Sequence, residues 1–264
     1  MKKWILLPLS AAFFLIGQTN KIDKPKLVVF ITVDQGTPSL LDKYDHLFIG
    51  GYRWLRDNGV QFKQAYHEHG YTATGPSHFA LSSGQHPGNG GVIGNQWFDR
   101  KLKRGWYCVE DTLSQVLIDG STGRSYRFVQ STTLGDWIKK DNPNSIVLSI
   151  AGKDRAAILH GGKNADITLW YDKQGGWTSS TYYVSKLPNW VNTFNKQLNV
   201  PSYIDSVWNP FLDNNVYVNN TRPDYFVGEA KWSLGKYNPI FPIVIKELGL
   251  SFLLSTFYIL PYGD

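Results

Sequence analysis

Three short segments hold the side chains that could do chemistry. The first is Asp34, which ends the apolar run Leu27-Val28-Val29-Phe30-Ile31-Thr32-Val33. In open α/β sheets, ligands bind outside the carboxyl ends of the strands, where a carboxylate in this position would sit. Taken alone, a turn residue or a helix cap is the simpler reading. The second segment is Thr72-Ala73-Thr74-Gly75-Pro76-Ser77-His78. Pro76 suits the first turn of a helix, where its missing N–H costs nothing, so Thr74 is expected at or just before a helix N-terminus. Free backbone N–H groups and partial positive charge at that end favour an anion. Helix capping is the alternative role for Thr72 and Thr74. The third segment is Lys153-Asp154-Arg155. On extended chain, residues two apart point to the same side. Two cations there could converge on one small anion, with Arg clamping two oxygens and Lys acting as a point charge. A solvated charged turn is the competing reading.

These segments need elements to hold them. Residues 27–33 are β-branched and continuously apolar between Pro25 and Gly36, which reads as a strand buried on both faces. Residues 52–58 read as a short helix ended by Gly59, and residues 60–66 as a strand. A helix is expected over 132–140, stopping at Asp141-Asn142-Pro143, followed by a second buried strand over 145–151. Helix, turn and strand make one crossover unit of an α/β fold. Residues 187–196 read as a helix with Trp190, Val191 and Phe194 on one face. The expected class is α/β, with a mostly parallel central sheet flanked by helices.

Composition narrows the function classes. The 264 residues are 42% hydrophobic and 18% charged, which excludes a disordered chain and a polytopic membrane protein. The single cysteine, Cys108, excludes an intrachain disulfide framework and a multi-cysteine zinc site. The formal charge of +6 is mild and its basic residues are dispersed, so nucleic acid is not an expected partner. Lys2 and Lys3, the apolar residues 4–16 and Gly17 have the parts of a secretory signal peptide. The run is shorter than the ~20 residues of a comfortable membrane span. Residues 1–17 are therefore expected to be removed, leaving residues 18–264 as a periplasmic or secreted domain with no stable membrane anchor. Their loss takes two lysines and no acid, so the charge falls from +6 to +4.

Three stretches in order, Val33-Asp34-Gln35, Thr72 through His78, and Gly152-Lys153-Asp154-Arg155-Ala156-Ala157, resemble the N-terminal half of a PafA-type bacterial alkaline phosphatase. Gly91-Val92-Ile93-Gly94-Asn95, Tyr107-Cys108-Val109-Glu110-Asp111 and Ser180-Thr181-Tyr182-Tyr183 support the match. Such enzymes belong to the type I phosphodiesterase/nucleotide pyrophosphatase group of the alkaline phosphatase superfamily. The resemblance implies that Asp34 is a metal ligand and that Thr74 is both a metal ligand and the nucleophile. It implies that Asn95, Lys153 and Arg155 bind the phosphoryl group, Asn95 as a neutral amide donor. Without the resemblance, Asn95 reads as a turn residue after Gly94. The Lys153/Arg155 pair points toward small-molecule phosphate monoesters rather than diesters. His78 resembles a framework histidine beside the nucleophile helix and is not assigned to a metal; His86 and His160 are expected to be ordinary polar residues.

The resemblance also implies two zinc ions, whose remaining Asp and His ligands lie beyond the matched half. Asp34 and Thr74 supply only two oxygens, and a zinc site takes four ligands. The expectation is therefore a metal-dependent phosphatase by family whose isolated 264-residue chain has little activity. The alternatives are a non-catalytic fragment or one half of a split enzyme completed by a separately encoded C-terminal half, and a nucleotide phosphodiesterase/pyrophosphatase. The sequence departs from the family at Gly36-Thr37-Pro38-Ser39 after Asp34, at Gly70-Tyr71 before Thr72, and at Gly75 and Ser77, where Ala and Gly are frequent.

Overall fold

A computed structural model describes residues 24–228, 231 and 238–260. The expected signal peptide lies outside these residues. The chain divides into two units, one ending at Val33 and one beginning at Asp34.

In the first unit, residues 27–33 are not a strand, and most of their apolar side chains are exposed. The β-branched run carries a preference for a sheet, but burial on both faces needs neighbouring strands. None of the ladders among the described residues includes it.

The second unit begins with helices α1 (Pro38–Lys43), α2 (Gly51–Asn58), α3 (Thr74–Ser83) and α4 (Pro87–Gly90). Two antiparallel ladders follow: β1 (Gln96–Asp99) on β2 (Arg104–Tyr107), and β3 (Glu110–Gln115) on β4 (Thr122–Arg124). Next come α5 (Leu134–Asp141), β5 (Leu148–Ala151), α6 (Asp154–Gly161), β6 (Ile167–Asp172), β7 (Gly176–Thr178) and α7 (Asn189–Leu198). The remainder comprises β8 (Val207–Trp208), α8 (Asn214–Asn220), β9 (Ile243–Val244), α9 (Ile245–Leu248) and α10 (Leu250–Thr256).

The local chemistry explains several boundaries. Gly59 ends α2 as expected. The Thr133 N-cap and Asp136 form a reciprocal capping box that starts α5, satisfying two otherwise orphaned N–H groups. Gly84, at φ 63°, ends α3 in the left-handed conformation that glycine adopts without a Cβ penalty. Residues 60–66, expected as a strand, are irregular and exposed; alternation alone does not make a strand without a partner ladder.

β5 and β6 pair in parallel, with α6 crossing between them, and β7 folds back antiparallel on β6. The parallel crossover agrees with the expected α/β class, but it is made by α6 and β6, which were not expected, rather than by residues 132–140 and 145–151. The second strand differs from expectation, however: it covers only 148–151, lies at the sheet edge, and leaves Leu148 and Ile150 half exposed. β6, paired on both sides, has the buried run instead.

The core behind the site joins α3 to α6 through Phe79, Cys108, Val109, Tyr126, Ile158 and Leu159. The Ser82 hydroxyl donates to the Leu159 carbonyl at 2.6 Å and ties the two helices together. Gly90 of α4 lets that helix lie directly against α3, because a Cβ there would lie 1.9 Å from the Phe79 ring. A second cluster, including Tyr171, Ile243, Ile245, Leu253 and Phe257, packs the C-terminal helices. Among the described residues no helix is long and apolar enough to cross a membrane.

Candidate active site

Thr74 is the first residue of α3, after Ala73 in extended conformation. It therefore stands where the helix presents unsatisfied N–H groups. Asp34 sits in a turn, followed by Gln35 at φ 60°. The Thr74 hydroxyl donates to Asp34 Oδ2 at 3.3 Å. Lys153 Nζ lies 3.4 Å from that same oxygen. Thr74 and Lys153, 40 and 119 positions from Asp34, thus converge on its carboxylate. Thr72, the competing hydroxyl, lies exposed before the helix.

Asn95 reaches the same helix end. Its Oδ1 accepts the Gly75 N–H at 2.7 Å, which commits the carbonyl side of the amide to the protein and leaves the NH2 as the side able to donate to an anion. Gly75 makes the approach possible: a Cβ would lie 3.0 Å from Asn95 Oδ1 and 3.3 Å from Cys108 Sγ. Burial pushes the Cys108 thiol up to about 12, so this sulfur remains protonated and is a packing atom.

Lys153 reaches Asp34 and Arg155 reaches Tyr107, both from the start of a helix. Lys153 is the N-cap of α6, and Arg155 lies in the helix's first turn. The cations are set by a helix start rather than by strand alternation. Arg155 Nη1 donates to the Tyr107 hydroxyl at 3.0 Å. That hydroxyl donates to Asp154 Oδ1 at 2.5 Å. Arg124 Nε donates to Asp154 Oδ2 at 3.0 Å, and the Arg155 backbone N–H donates to Asp154 Oδ1 at 2.7 Å. Burial, with the charge of Asp154, holds the Tyr107 phenol well above its usual range. Arg155 Nε is buried and has no hydrogen-bond partner among the described residues. Sequence reasoning assigned no role to Tyr107, Arg124 or Asp154. Only the position of Asp154 between two assigned cations was a signal.

His78 lies behind Thr74. Its Nδ1 is 2.8 Å from the Thr74 carbonyl, which can only accept, so Nδ1 carries the proton. Burial lowers the pKa of His78 despite this bond. His160, expected to be an ordinary polar residue, instead packs edge-on against His78 at 4.8 Å between ring centroids, and burial lowers it to about 4. His78 is on α3 and His160 on α6, so the ring pair lies between the two helices. His69 Nε2 lies 3.2 Å from Ser77 Oγ, with the His67 and His86 rings 5.1 and 6.1 Å from the His69 ring.

The donor set fits a divalent ion in part. A carboxylate and a hydroxyl 3.3 Å apart can both contact one ion, since zinc takes oxygen ligands at ~2.0–2.2 Å. Among the described residues, no group of three or more His, Cys, Asp or Glu could complete the shell.

Residues 28–231 match the family model of the type I phosphodiesterase/nucleotide pyrophosphatases. The chain is 34% identical over 252 residues to alkaline phosphatase PafA of Elizabethkingia meningoseptica, covering 91% of this chain and 45% of that protein. It is 38% identical over 176 residues to alkaline phosphatase PhoD of Zymomonas mobilis, covering 66% of this chain and 30% of that one. Over 252 residues it is 32% identical to a protein of Myroides odoratus named a calcium-transporting ATPase, covering 92% and 46%. A mutant PafA crystal structure superimposes with a TM-score of 0.77 at 28% identity, covering 86% of this chain and 44% of that one. Wild-type PafA gives 0.72 at 30% identity, covering 80% and 41%. The chain thus has the α/β fold of the alkaline phosphatases and spans less than half the length of these relatives. The family model matches most of the sequence: the chain belongs to the type I phosphodiesterase/nucleotide pyrophosphatase family.

Proposed function

We propose that this chain contributes the nucleophile and the phosphoryl-binding side of an exported, metal-dependent phosphatase acting on small phosphate monoesters. The observation that carries the reading is the convergence on Asp34 Oδ2 of the Thr74 hydroxyl at 3.3 Å and Lys153 Nζ at 3.4 Å, at the N-terminus of α3. Thr74 Oγ loses its proton and attacks phosphorus. The bond to the ester oxygen breaks, and the alcohol leaves with a proton. Water then cleaves the phosphothreonine, restoring the hydroxyl and releasing inorganic phosphate. Lys153, Arg155 and the Asn95 amide stabilise charge on the transferring group, chiefly by position. His78 holds the Thr74 carbonyl and keeps the first turn in place. Asp34 and Thr74 would hold a zinc ion, which when bound lowers the pKa of the hydroxyl.

Two oxygens are half of a tetrahedral zinc shell. The 264-residue chain on its own is therefore expected to turn over p-nitrophenyl phosphate slowly. The partner that fits is a polypeptide corresponding to the remaining length of the relatives, supplying Asp and His ligands. Export rests on Lys2, Lys3 and the apolar residues 4–16. The test measures turnover of p-nitrophenyl phosphate and bis-p-nitrophenyl phosphate with and without such a polypeptide, alongside Thr74→Ala. Restored monoester turnover that Thr74→Ala abolishes supports the proposal. Faster diester turnover moves the function to the nucleotide phosphodiesterases, and turnover that survives Thr74→Ala removes the phosphothreonine route.

A further inference from the structure

We infer that Tyr107 is the positioning residue of the phosphate site, holding the Arg155 guanidinium in the orientation in which it receives a phosphoryl oxygen. The inference rests on the phosphatase reading above. A phenol has one proton. Here that proton goes to Asp154 Oδ1 at 2.5 Å, so the oxygen lone pairs face Arg155 Nη1, which donates to them at 3.0 Å. Asp154 is itself held from its other oxygen by Arg124 at 3.0 Å and from the backbone of Arg155 at 2.7 Å. The direction of every bond in the chain is thus determined. Arg124 and Asp154 neutralise one another, so the charge of Arg155 is not cancelled by a carboxylate. This distinguishes the arrangement from an ordinary ion pair, in which Asp154 would take the guanidinium directly. Instead a neutral hydroxyl intervenes, fixing the geometry and leaving the cation available.

The orphaned Arg155 Nε is the second observation. It is buried without a partner among the described residues, and buried N–H groups of this kind nearly always have one. A fixed guanidinium with one unpaired buried donor is a receptor for an oxyanion. Tyr107 also stacks near both cations, with the Arg124 and Arg155 guanidinium carbons 5.3 and 5.9 Å from its ring centroid, so the ring limits their movement as well.

The test titrates the 264-residue protein with inorganic phosphate, followed by phosphorus NMR, in the unsubstituted chain, Tyr107→Phe, Arg155→Ala and the double variant. The Arg155 Nε–H signal is recorded in parallel to read guanidinium mobility. Tyr107→Phe removes one hydrogen bond to a charged group and is expected to weaken phosphate about tenfold and to loosen the guanidinium. In the Arg155→Ala background the same change is expected to have no effect on phosphate. Should Tyr107→Phe fail to fold, Asp154→Asn removes the charged acceptor that fixes the hydroxyl proton, and is expected to weaken phosphate only while Arg155 is present. Phosphate affinity lost in Arg155→Ala but kept in Tyr107→Phe overturns the role of Tyr107 alone, as does an equal Tyr107→Phe effect in both backgrounds. Absent phosphate binding, or binding indifferent to Arg155→Ala, overturns the reading of the site itself.

Discussion

Replacing Asp154 by alanine is the most direct test of the buried network beside the site. The carboxylate accepts from the Tyr107 hydroxyl, the Arg155 backbone N–H and Arg124 Nε. Its side chain is 19% exposed. Each buried donor left without an acceptor costs about 1–3 kcal/mol. Arg124 is 28% exposed and can turn toward water, so its loss counts for little. The other two donors give about 3 kcal/mol. Asp154 also lies in the first turn of α6, where a negative charge contributes about 0.3–1 kcal/mol. The expected loss is therefore about 3–4 kcal/mol, a large part of the ~5–15 kcal/mol that stabilises a domain. Urea unfolding followed by tryptophan fluorescence reads it as a midpoint lowered by about 1–2 M, for a slope of ~2–3 kcal/mol per M. Asp154→Asn, which keeps the volume and one acceptor, is expected to lose less than half as much. A midpoint for Asp154→Ala within 0.3 M of the unsubstituted chain, taking ~1 kcal/mol as the floor, would falsify the claim that this carboxylate organises the network.

Lys153→Met is expected to have the opposite profile. Its ion pair with Asp34 spans 3.4 Å between side chains 41% and 44% exposed, so stability changes by less than ~1 kcal/mol, while methyl phosphate binding weakens severalfold more than dimethyl phosphate binding. Equal weakening of the two ligands by calorimetric titration refutes the assignment of Lys153 to the second phosphate charge. His160 sets an acid limb. Burial depresses it to about 4, below the ordinary ~6.5, so the unfolded chain takes up the proton first. Its contribution is complete above about pH 6.5 and is lost as the pH falls toward 4, by about 3 kcal/mol. Urea midpoints measured from pH 7 to pH 4 should fall more steeply in the unsubstituted chain than in His160→Gln; parallel slopes refute the depression.

Local signals made much of the site legible. Pro76 announced the start of α3 because its ring fits only a few helical positions, and this placed Thr74 at the N-terminus. Gly59 marked the end of α2 for the same kind of local reason. The pair Lys153 and Arg155 was found from its charge, although the extended backbone assumed for it is a helix start. A spacing of two brings side chains to one side on extended chain but not within a helix; Lys153 keeps the extended backbone as N-cap, while Arg155 is already in the helix. Tyr107, Arg124 and Asp154 were not legible as a group. Their contacts span 47 and 30 residues, and no periodicity within a segment reports a partner at that separation. Residues 27–33 and 60–66 failed differently. Both were read as strands, the first as buried on both faces, but a sheet is made by pairing, and no ladder among the described residues includes them.

The charges of the site explain why its cations are handled in two ways. Lys153 rests against Asp34, the oxygen that also receives the Thr74 hydroxyl. An ammonium on a flexible stem, paired across 3.4 Å at a largely exposed site, is weakly held and can move to an arriving anion. Arg155 has no carboxylate of its own: Asp154 is engaged by Arg124, and Tyr107 stands between. A guanidinium is rigid and bidentate, so its value lies in orientation, and a neutral hydroxyl fixes orientation without cancelling charge. The flexible cation therefore supplies adjustable charge and the fixed one supplies geometry. A dianionic monoester needs both, whereas a monoanionic diester is matched by Arg155 alone. Under the proposed function, discrimination between the two substrate classes is therefore assigned to Lys153, and alignment of the phosphoryl group with Thr74 to Arg155 and the tyrosine behind it.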